Sequence, residues 1–359
     1  MKETVKVKLT TVTPVFIGSG EKYTACELVK KDSSYYRLRE RSFFKLLHDY
    51  PKLSTGDSMK KIANQTVQNL ERIITKDDLS YELKNYVGTI EGEILQLLKH
   101  PSGAVYIPGS SIKGAIRTAI QYCIMKKNKD HFQKLVLDAL KEAQPGRRPN
   151  FAEVTRKLDR ALRLPGQDLR TDLARFLLVS DTNLLKIPIC LAQVGIFKIK
   201  SGKLELDTRK AKFLMEFIGP KIEFETEITF DKDQMELMQE KLSQRYSYVP
   251  SSIKEVLNCV REMYQDVIED ELRDLTQEKA KYGELLQELK GEPDKLHIGY
   301  GGGLKACSLF ILLDEQLRKQ VRNTIRYHGN DIAPLSRRSL TQDAIPISPF
   351  GWFTFKVVQ

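Results

Sequence analysis

The sequence predicts an α+β fold in which a sheet is interrupted by helical excursions and completed near the C-terminus. Three observations carry this expectation. Val5, Val7 and Leu9 alternate with lysines, the period of a half-buried strand. Ile222, Phe224, Thr226, Ile228 and Phe230 alternate strictly with polar residues. Trp352-Phe-Thr-Phe-Lys-Val-Val358 reads as a closing strand. Strands towards both ends with helices between them suit an antiparallel sheet covered by helices.

The elements follow in order. Pro14 and Gly18-Ser-Gly20 interrupt the first strand. Residues 26–30 and 35–39 predict a hairpin across Lys31-Asp-Ser-Ser34. Phe43, Phe44, Leu46 and Leu47 suit a short helix that Pro51 ends, and residues 52–99 read as mostly helical. Residues 104–107 read as a short apolar strand before a Pro-Gly turn. Beyond it, Ile112, Ala115, Ile116, Ala119, Ile120 and Cys123 recur at helical spacing. Residues 126–175 predict a helical insertion, with Phe151, Val154, Leu158 and Leu162 on one face. Pro145-Gly-Arg-Arg-Pro149 and Pro165-Gly166 punctuate it. Residues 176–179 read as a strand that runs into Ser180-Asp-Thr-Asn183. A hairpin is expected from 191–200 and 203–207 around Ser201-Gly202. Residues 233–290 are helical, and the Val256, Val260, Met263, Val267 stripe reads as core. A glycine loop at 299–303 and a helix over about 314–327 complete the pattern. The expected domains are a core made of 1–125, 176–230 and 296–359, a basic helical insertion at 126–175 and an acidic helical segment at 231–295.

Charge is uneven along the 359 residues, whose net value is +11. Residues 126–175 carry 13 Lys/Arg against 7 Asp/Glu, a net of +6; residues 231–295 carry 10 against 16, a net of −6. This segregation predicts a directional face for an acidic partner. The five cysteines are odd in number and form no CxxC pair. They read as reduced thiols, with neither disulfides nor zinc. There is no apolar signal core and no run of membrane-span length. A soluble, cytoplasmic chain without membrane, metal or cofactor is expected.

Two segments carry the chemistry. In Tyr106-Ile-Pro-Gly-Ser-Ser-Ile-Lys-Gly-Ala-Ile-Arg117, Ser110 or Ser111 is placed to cap the helix. Gly109 permits close approach, and Lys113 and Arg117 share a face near the helix start. That set suits a phosphate. It is not a Walker A loop, because the lysine precedes the second glycine and no GK[ST] follows. In His297-Ile-Gly-Tyr-Gly-Gly-Gly-Leu-Lys305, backbone amides of Gly301, Gly302 and Gly303 are free of side-chain obstruction. Tyr300 suits base stacking and Lys305 a phosphate. The dinucleotide fingerprint fails, since Leu304 stands at the third glycine position. His297, the best placed of the histidines, suits a structural role, an RNA contact or a general acid–base role, with the first two the commoner uses. Arg147 and Arg148 add basic charge in the insertion. Asp181 serves either chemistry or an Asx turn closing its strand, with the turn the commoner use. No carboxylate cluster has metal-ligand spacing, and neither HxxxH nor GxSxG occurs.

Four blocks together resemble a known family: Thr13-Pro-Val-Phe-Ile-Gly-Ser-Gly-Glu-Lys-Tyr23, residues 107–117, Val179-Ser-Asp181 and Gly299-Tyr-Gly-Gly-Gly-Leu304. Their order and spacing resemble the RAMP proteins of CRISPR systems, in the pattern of the type III-A (Csm) effector subunit at the crRNA 3′ end. The resemblance implies a ferredoxin-like, RRM-related fold with a four-stranded antiparallel sheet and glycine loops on RNA. It implies a non-catalytic role in crRNA capping, crRNA maturation and effector assembly for antiviral defence. The implied partners are crRNA, nearby target RNA, a neighbouring RAMP backbone subunit and crRNA-trimming nucleases. Target slicing is not expected, because Tyr36-Arg-Leu-Arg-Glu-Arg-Ser-Phe43 is dominated by arginine where slicing subunits carry an acidic residue. The alternative is a metal-independent endoribonuclease acting on repeat RNA, with His297 as general acid or base.

Overall fold

The alternating β1 (Lys2–Thr11) forms the spine of the first sheet. The structure, a computed structural model, describes residues 1–31, 34–49, 74–86, 90–141, 174–210, 212–244, 246–325, 336–342 and 344–358. In chain order the strands are β1, β2 (Gly18–Thr24), β3 (Leu28–Lys31), β4 (Ser34–Leu38), β5 (Leu79–Asn85), β6 (Glu93–Leu97), β7 (Leu177–Val179) and β8 (Ile189–Lys200). They continue as β9 (Lys203–Leu206), β10 (Phe213–Phe217), β11 (Glu223–Asp231), β12 (Lys295–His297), β13 (Ser336–Gln342), β14 (Ile345–Ser348) and β15 (Trp352–Val358). The helices are α1 (Glu40–Asp49), α2 (Gly109–Lys127), α3 (Lys129–Lys141), α4 (Lys232–Ser243), α5 (Ile253–Asp274), α6 (Lys281–Gly291), α7 (Gly303–Ala306) and α8 (Glu315–Ile325).

The first sheet runs β12-β15-β1-β11-β7 and is antiparallel throughout. Among the described residues it has five strands where the resemblance implied four. Val7, Leu9, Phe224, Ile228, Phe230, Phe353 and Phe355 are buried. The opposite face of β1 and β11 is polar, with Lys8 paired to Glu223 at 2.9 Å and Lys6 to Glu227 at 4.0 Å. The helical stripes fall where their spacing put them. Ile112, Ile116, Ala119, Ile120 and Cys123 of α2 and Val256, Val260, Met263 and Val267 of α5 are all buried, and the two helices pack together.

Among the described residues the second sheet has ten strands and is built around β8. Most of its pairs are antiparallel, but β5 with β8 and β6 with β10 are parallel. The predicted hairpins at β3–β4 and β8–β9 are present; Ser201 and Gly202 take φ of 48° and 74° at the second turn, as a two-residue hairpin turn requires. A buried carboxylate ties this sheet together. Glu216 accepts hydrogen bonds from Tyr23 Oη and Tyr81 Oη (2.7 Å each), the Leu97 N–H (2.9 Å) and Lys99 Nζ (2.6 Å).

Two expectations are corrected. The described part of 52–99 contains strands β5 and β6 and, as helix, a single 3-10 turn at Lys76–Asp78. Tyr81 and Leu83 alternate with Ser80, Glu82 and Lys84, and the partners in β8 and β10 turn that short pattern into sheet. Residues 104–107 make no strand, only an isolated bridge from Val105 to Leu185. Pro101 and Pro108 flank the run and remove amide donors. Of the proposed basic insertion, residues 142–173 lie outside the described residues, and with them Arg147 and Arg148. Among the described residues no helix is long and apolar enough to cross a membrane.

Candidate nucleic-acid interface

The Pro-Gly-Ser-Ser turn starts α2 as its composition requires, but the anion at the helix start comes from the fold itself. Pro108 is the N-cap, with φ −60° and ψ 133°, and no side-chain cap bond is present. Neither Ser110 nor Ser111 caps the helix, which corrects that expectation. The Gly109 N–H donates instead to Asp181 Oδ1 at 2.7 Å, a carboxylate placed where the helix dipole favours negative charge. Thr182 locks the same seam: its Oγ1 accepts from the Ile107 N–H at 2.9 Å, and its own N–H donates to the Ile107 carbonyl at 3.1 Å. Gly109 is needed for contact with protein backbone, since a Cβ there would lie 2.2 Å from the Val179 carbonyl oxygen. Ser110 is exposed; Lys113 and Arg117 are half-buried, and both already engage neighbours in the fold.

The glycine loop leaves β12 with φ of 83° at Gly299, 100° at Gly301 and 54° at Gly303, values that favour glycine. Protein fills most of the space this creates. A Cβ at Gly299 would lie 2.5 Å from the Phe16 carbonyl oxygen, and one at Gly301 would lie 2.7 Å from Phe350 Cβ. Gly303 differs: among the described residues nothing lies within 4 Å of its Cβ position, and it is exposed. Tyr300 sits in an aromatic box, edge-on to Phe350 at 5.6 Å, Phe16 at 5.9 Å and Phe213 at 6.5 Å. The Arg338 guanidinium lies 5.4 Å from the centre of its ring. Burial pushes the Tyr300 hydroxyl up to about 12, against the opposing pull of Arg338.

Two loop residues are not where a nucleic acid could meet them. Lys305 is 4% exposed. Its Nζ lies 2.7 Å from Asp270 Oδ2, 3.3 Å from Glu271 Oε2 and 2.6 Å from Asp274 Oδ2. Arg318 and Arg337 complete this cluster, at 2.9 Å from Asp270 and Asp274 respectively; Arg337 also forks onto Glu271. Burial works to raise the Asp270 and Glu271 carboxyls, yet the surrounding cations outweigh it and hold both below their ordinary values. Lys305 therefore anchors the loop from behind. His297 is equally enclosed. Gly302 and Gly351 press on its ring, Trp352 meets it edge-on at 5.3 Å, and among the described residues Nε2 has no hydrogen-bond partner. Burial pushes its pKa down to about 4, so the imidazole is neutral at pH 7 and shielded from solvent. Both the RNA-contact and the acid–base expectations for His297 are corrected by this position.

The four sequence blocks nevertheless assemble into two units against the first sheet. The Tyr300 N–H donates to the Phe16 carbonyl at 2.9 Å, and the Gly351 N–H to the Pro14 carbonyl at 2.8 Å. The Trp352 N–H donates to Thr13 Oγ1 at 3.0 Å. Thus 13–17 and 299–303 form one unit, and 107–117 with 179–182 form a second. Tyr264 of α5 bridges them, its Oη donating towards the carbonyls of Ala115 (3.5 Å) and His297 (3.4 Å). A family model described as the RAMP superfamily matches residues 8–305. The chain belongs to the RAMP superfamily.

Relatives of this RAMP protein are similarly consistent. Over 397 residues it is 24% identical to a Methanocaldococcus jannaschii protein described as "CRISPR system Cms protein Csm5", covering 99% of this chain and 90% of the relative. A Streptococcus thermophilus protein of the same description is 29% identical over 148 residues, covering 36% of this chain and 41% of that protein. Two solved structures share the fold. One is a chain in the cryo-EM structure of a Csm–crRNA–target RNA ternary complex of a type III-A CRISPR-Cas system, with TM-score 0.67, 19% identity, and 99% and 100% of the two chains covered. The other is the crystal structure of T. onnurineus Csm5, with TM-score 0.63, 20% identity, and 97% and 99% covered.

Sequence reading overlooked parts of this RAMP site. The acidic segment does not form a separate face: Asp270, Glu271 and Asp274 hold the cations behind the glycine loop, and Glu262 and Asp266 pair with Lys126 of α2. The segregation of charge along the chain is therefore partly cancelled in space. Arg338 was also missed. Its signal was the doublet Arg337-Arg338, in which strand alternation buries the first residue and exposes the second. Among the described residues no group of three His, Cys, Asp or Glu side chains stands close enough to hold a metal ion.

Proposed function

We propose that this RAMP protein is a non-catalytic, crRNA-binding subunit of a type III-A Csm ribonucleoprotein. In this reading it caps the crRNA 3′ end beside a RAMP backbone subunit, near the target RNA, and supports crRNA maturation and effector assembly in antiviral defence. The observation that carries the reading is the assembly of the four RAMP blocks into two units joined through Tyr264. The relatives' Csm descriptions support the same assignment. RNA would be gripped through its backbone, so binding should weaken with salt and show little sequence preference. The helix face of Ser110, Ser111, Lys113 and Arg117 and the loop at Gly301 to Gly303 are the proposed contacts. Gly109 acts in this scheme by seating the helix start.

The test is reconstitution of the effector with and without this chain, followed by sequencing of the bound RNA. Particles lacking the chain should carry crRNA with altered 3′ ends or lose the terminal backbone subunits. Unchanged particles with unchanged 3′ ends would reject the role. Trimming nucleases, if the chain recruits them, should co-purify with the complete particle and be lost with the chain. No observation favours the endoribonuclease reading, since His297 is enclosed; cleavage of repeat RNA in EDTA that vanishes with His297→Ala would restore it.

A further inference from the structure

We propose that Arg338, laid against Tyr300, is the cation that receives an RNA backbone phosphate at the glycine loop. This rests on the RNA-binding reading above and supplies the charge that sequence reasoning assigned to Lys305. Lys305 cannot serve, because its ammonium is enclosed by three carboxylates. Arg338 is exposed, while its neighbours Arg337 and Ser339 are buried, so the strand aims it outward. Among the described residues no carboxylate pairs with it.

The surroundings prepare this side chain for a ligand. Its guanidinium lies 5.4 Å from the Tyr300 ring centre, within the range of a cation–π contact. Tyr300 cannot swing aside, because Phe16, Phe213 and Phe350 hold its edges. Arg338 is thus partly ordered in advance, and less entropy is lost when it binds. Beside it, Gly301, Gly302, Gly303, Ser336 and Pro349 border a cavity of about 60 Å³, roomy enough for several waters or an oxyanion. Gly303 leaves the backbone open on that side. A guanidinium fork matches the paired oxygens of a phosphate. The same placement argues against a base stacking on the face of Tyr300 that Arg338 covers, which revises the stacking role first given to that tyrosine.

The experiment titrates a labelled single-stranded RNA with the full chain over a series of salt concentrations. Arg338→Gln should weaken binding about threefold to tenfold and make the slope of log K against log salt shallower by about 0.7, the value for one phosphate contact on a single strand. Arg338→Lys should keep the slope and lose only part of the affinity. Tyr300→Leu should weaken binding without changing the slope. Lys232→Gln, at the start of α4 just past the far end of β11, serves as a charge-matched control and should change neither quantity; thermal melts check that every variant is folded. If the wild-type chain binds RNA and Arg338→Gln matches it in affinity and slope, this proposal fails while the RNA-binding reading survives. If the wild-type chain does not bind RNA even at low salt, that reading fails and this proposal falls with it.

Discussion

Replacing Lys305 by methionine removes one cation from a closed ion cluster while keeping most of the volume of its stem. The Lys305 side chain is 5% exposed and faces three carboxylates at 2.6 to 3.3 Å. Arg318 and Arg337 remain, so Asp270 and Asp274 each lose a close partner inside the protein. Breaking a buried pair by removing one member costs about 3–5 kcal/mol, because the other charge stays buried. The cost should depend on pH. Asp270 and Glu271 are held below their ordinary values when folded, so their contribution is present above the unfolded carboxylate range of about 4 and is lost as pH falls through the lowered folded values. Without Lys305 the folded values rise, and the penalty should be greatest near neutral pH and shrink on acidification. Urea unfolding followed by Trp352, the single tryptophan, reports on this region because Trp352 touches His297. A loss below about 1 kcal/mol at pH 7, the level of a surface pair, would refute the cluster's role as an anchor. So would a penalty that is equal at neutral and acidic pH.

Three further outcomes are expected. Asp181→Ala removes the acceptor at the start of α2 and should cost about 1 kcal/mol, measured by chemical denaturation, with Asp181→Asn restoring part of it. Gly109→Ala forces a Cβ into the Val179 carbonyl; a thermal melt should show destabilisation of at least about 1–3 kcal/mol, and a neutral result would contradict the close backbone contact. Glu216→Gln leaves Lys99 without its charge partner and cannot accept from all four present donors. It should lower stability by about 3–5 kcal/mol, and hydrogen exchange should rise in β6 and β10.

Long periodic elements were legible because one period dominated them. Strands β1, β11 and β15 and the stripes of α2 and α5 each repeat an apolar residue often enough to identify the face. Short strands such as β5 and β6 were not legible, since seven and five residues carry little pattern and their partners lie far along the chain. The four blocks of the site could be named from sequence, but their mutual contacts could not, because those run through backbone atoms such as the Phe16 and Ile107 carbonyls. Charge misled in one respect. Lysine after a glycine loop reads as a ligand contact, and nothing local to Lys305 announces three acids of a helix some thirty-one to thirty-five residues earlier. Arg338 gained its place by default once that lysine was spoken for.

Strand β15 lies between β1 and β12, which gives the folding of this protein a fixed timetable. A nascent chain that has emerged as far as β12 holds two sheet edges with no strand between them. Thr13 and His297 acquire their Trp352 neighbour only after residue 352 has left the ribosome. Contacts this distant in sequence form slowly and leave unpaired edges exposed meanwhile. The corner shared by Thr13, His297 and Trp352 is thus completed only once β15 is made, so a chain stalled before that strand would lack it.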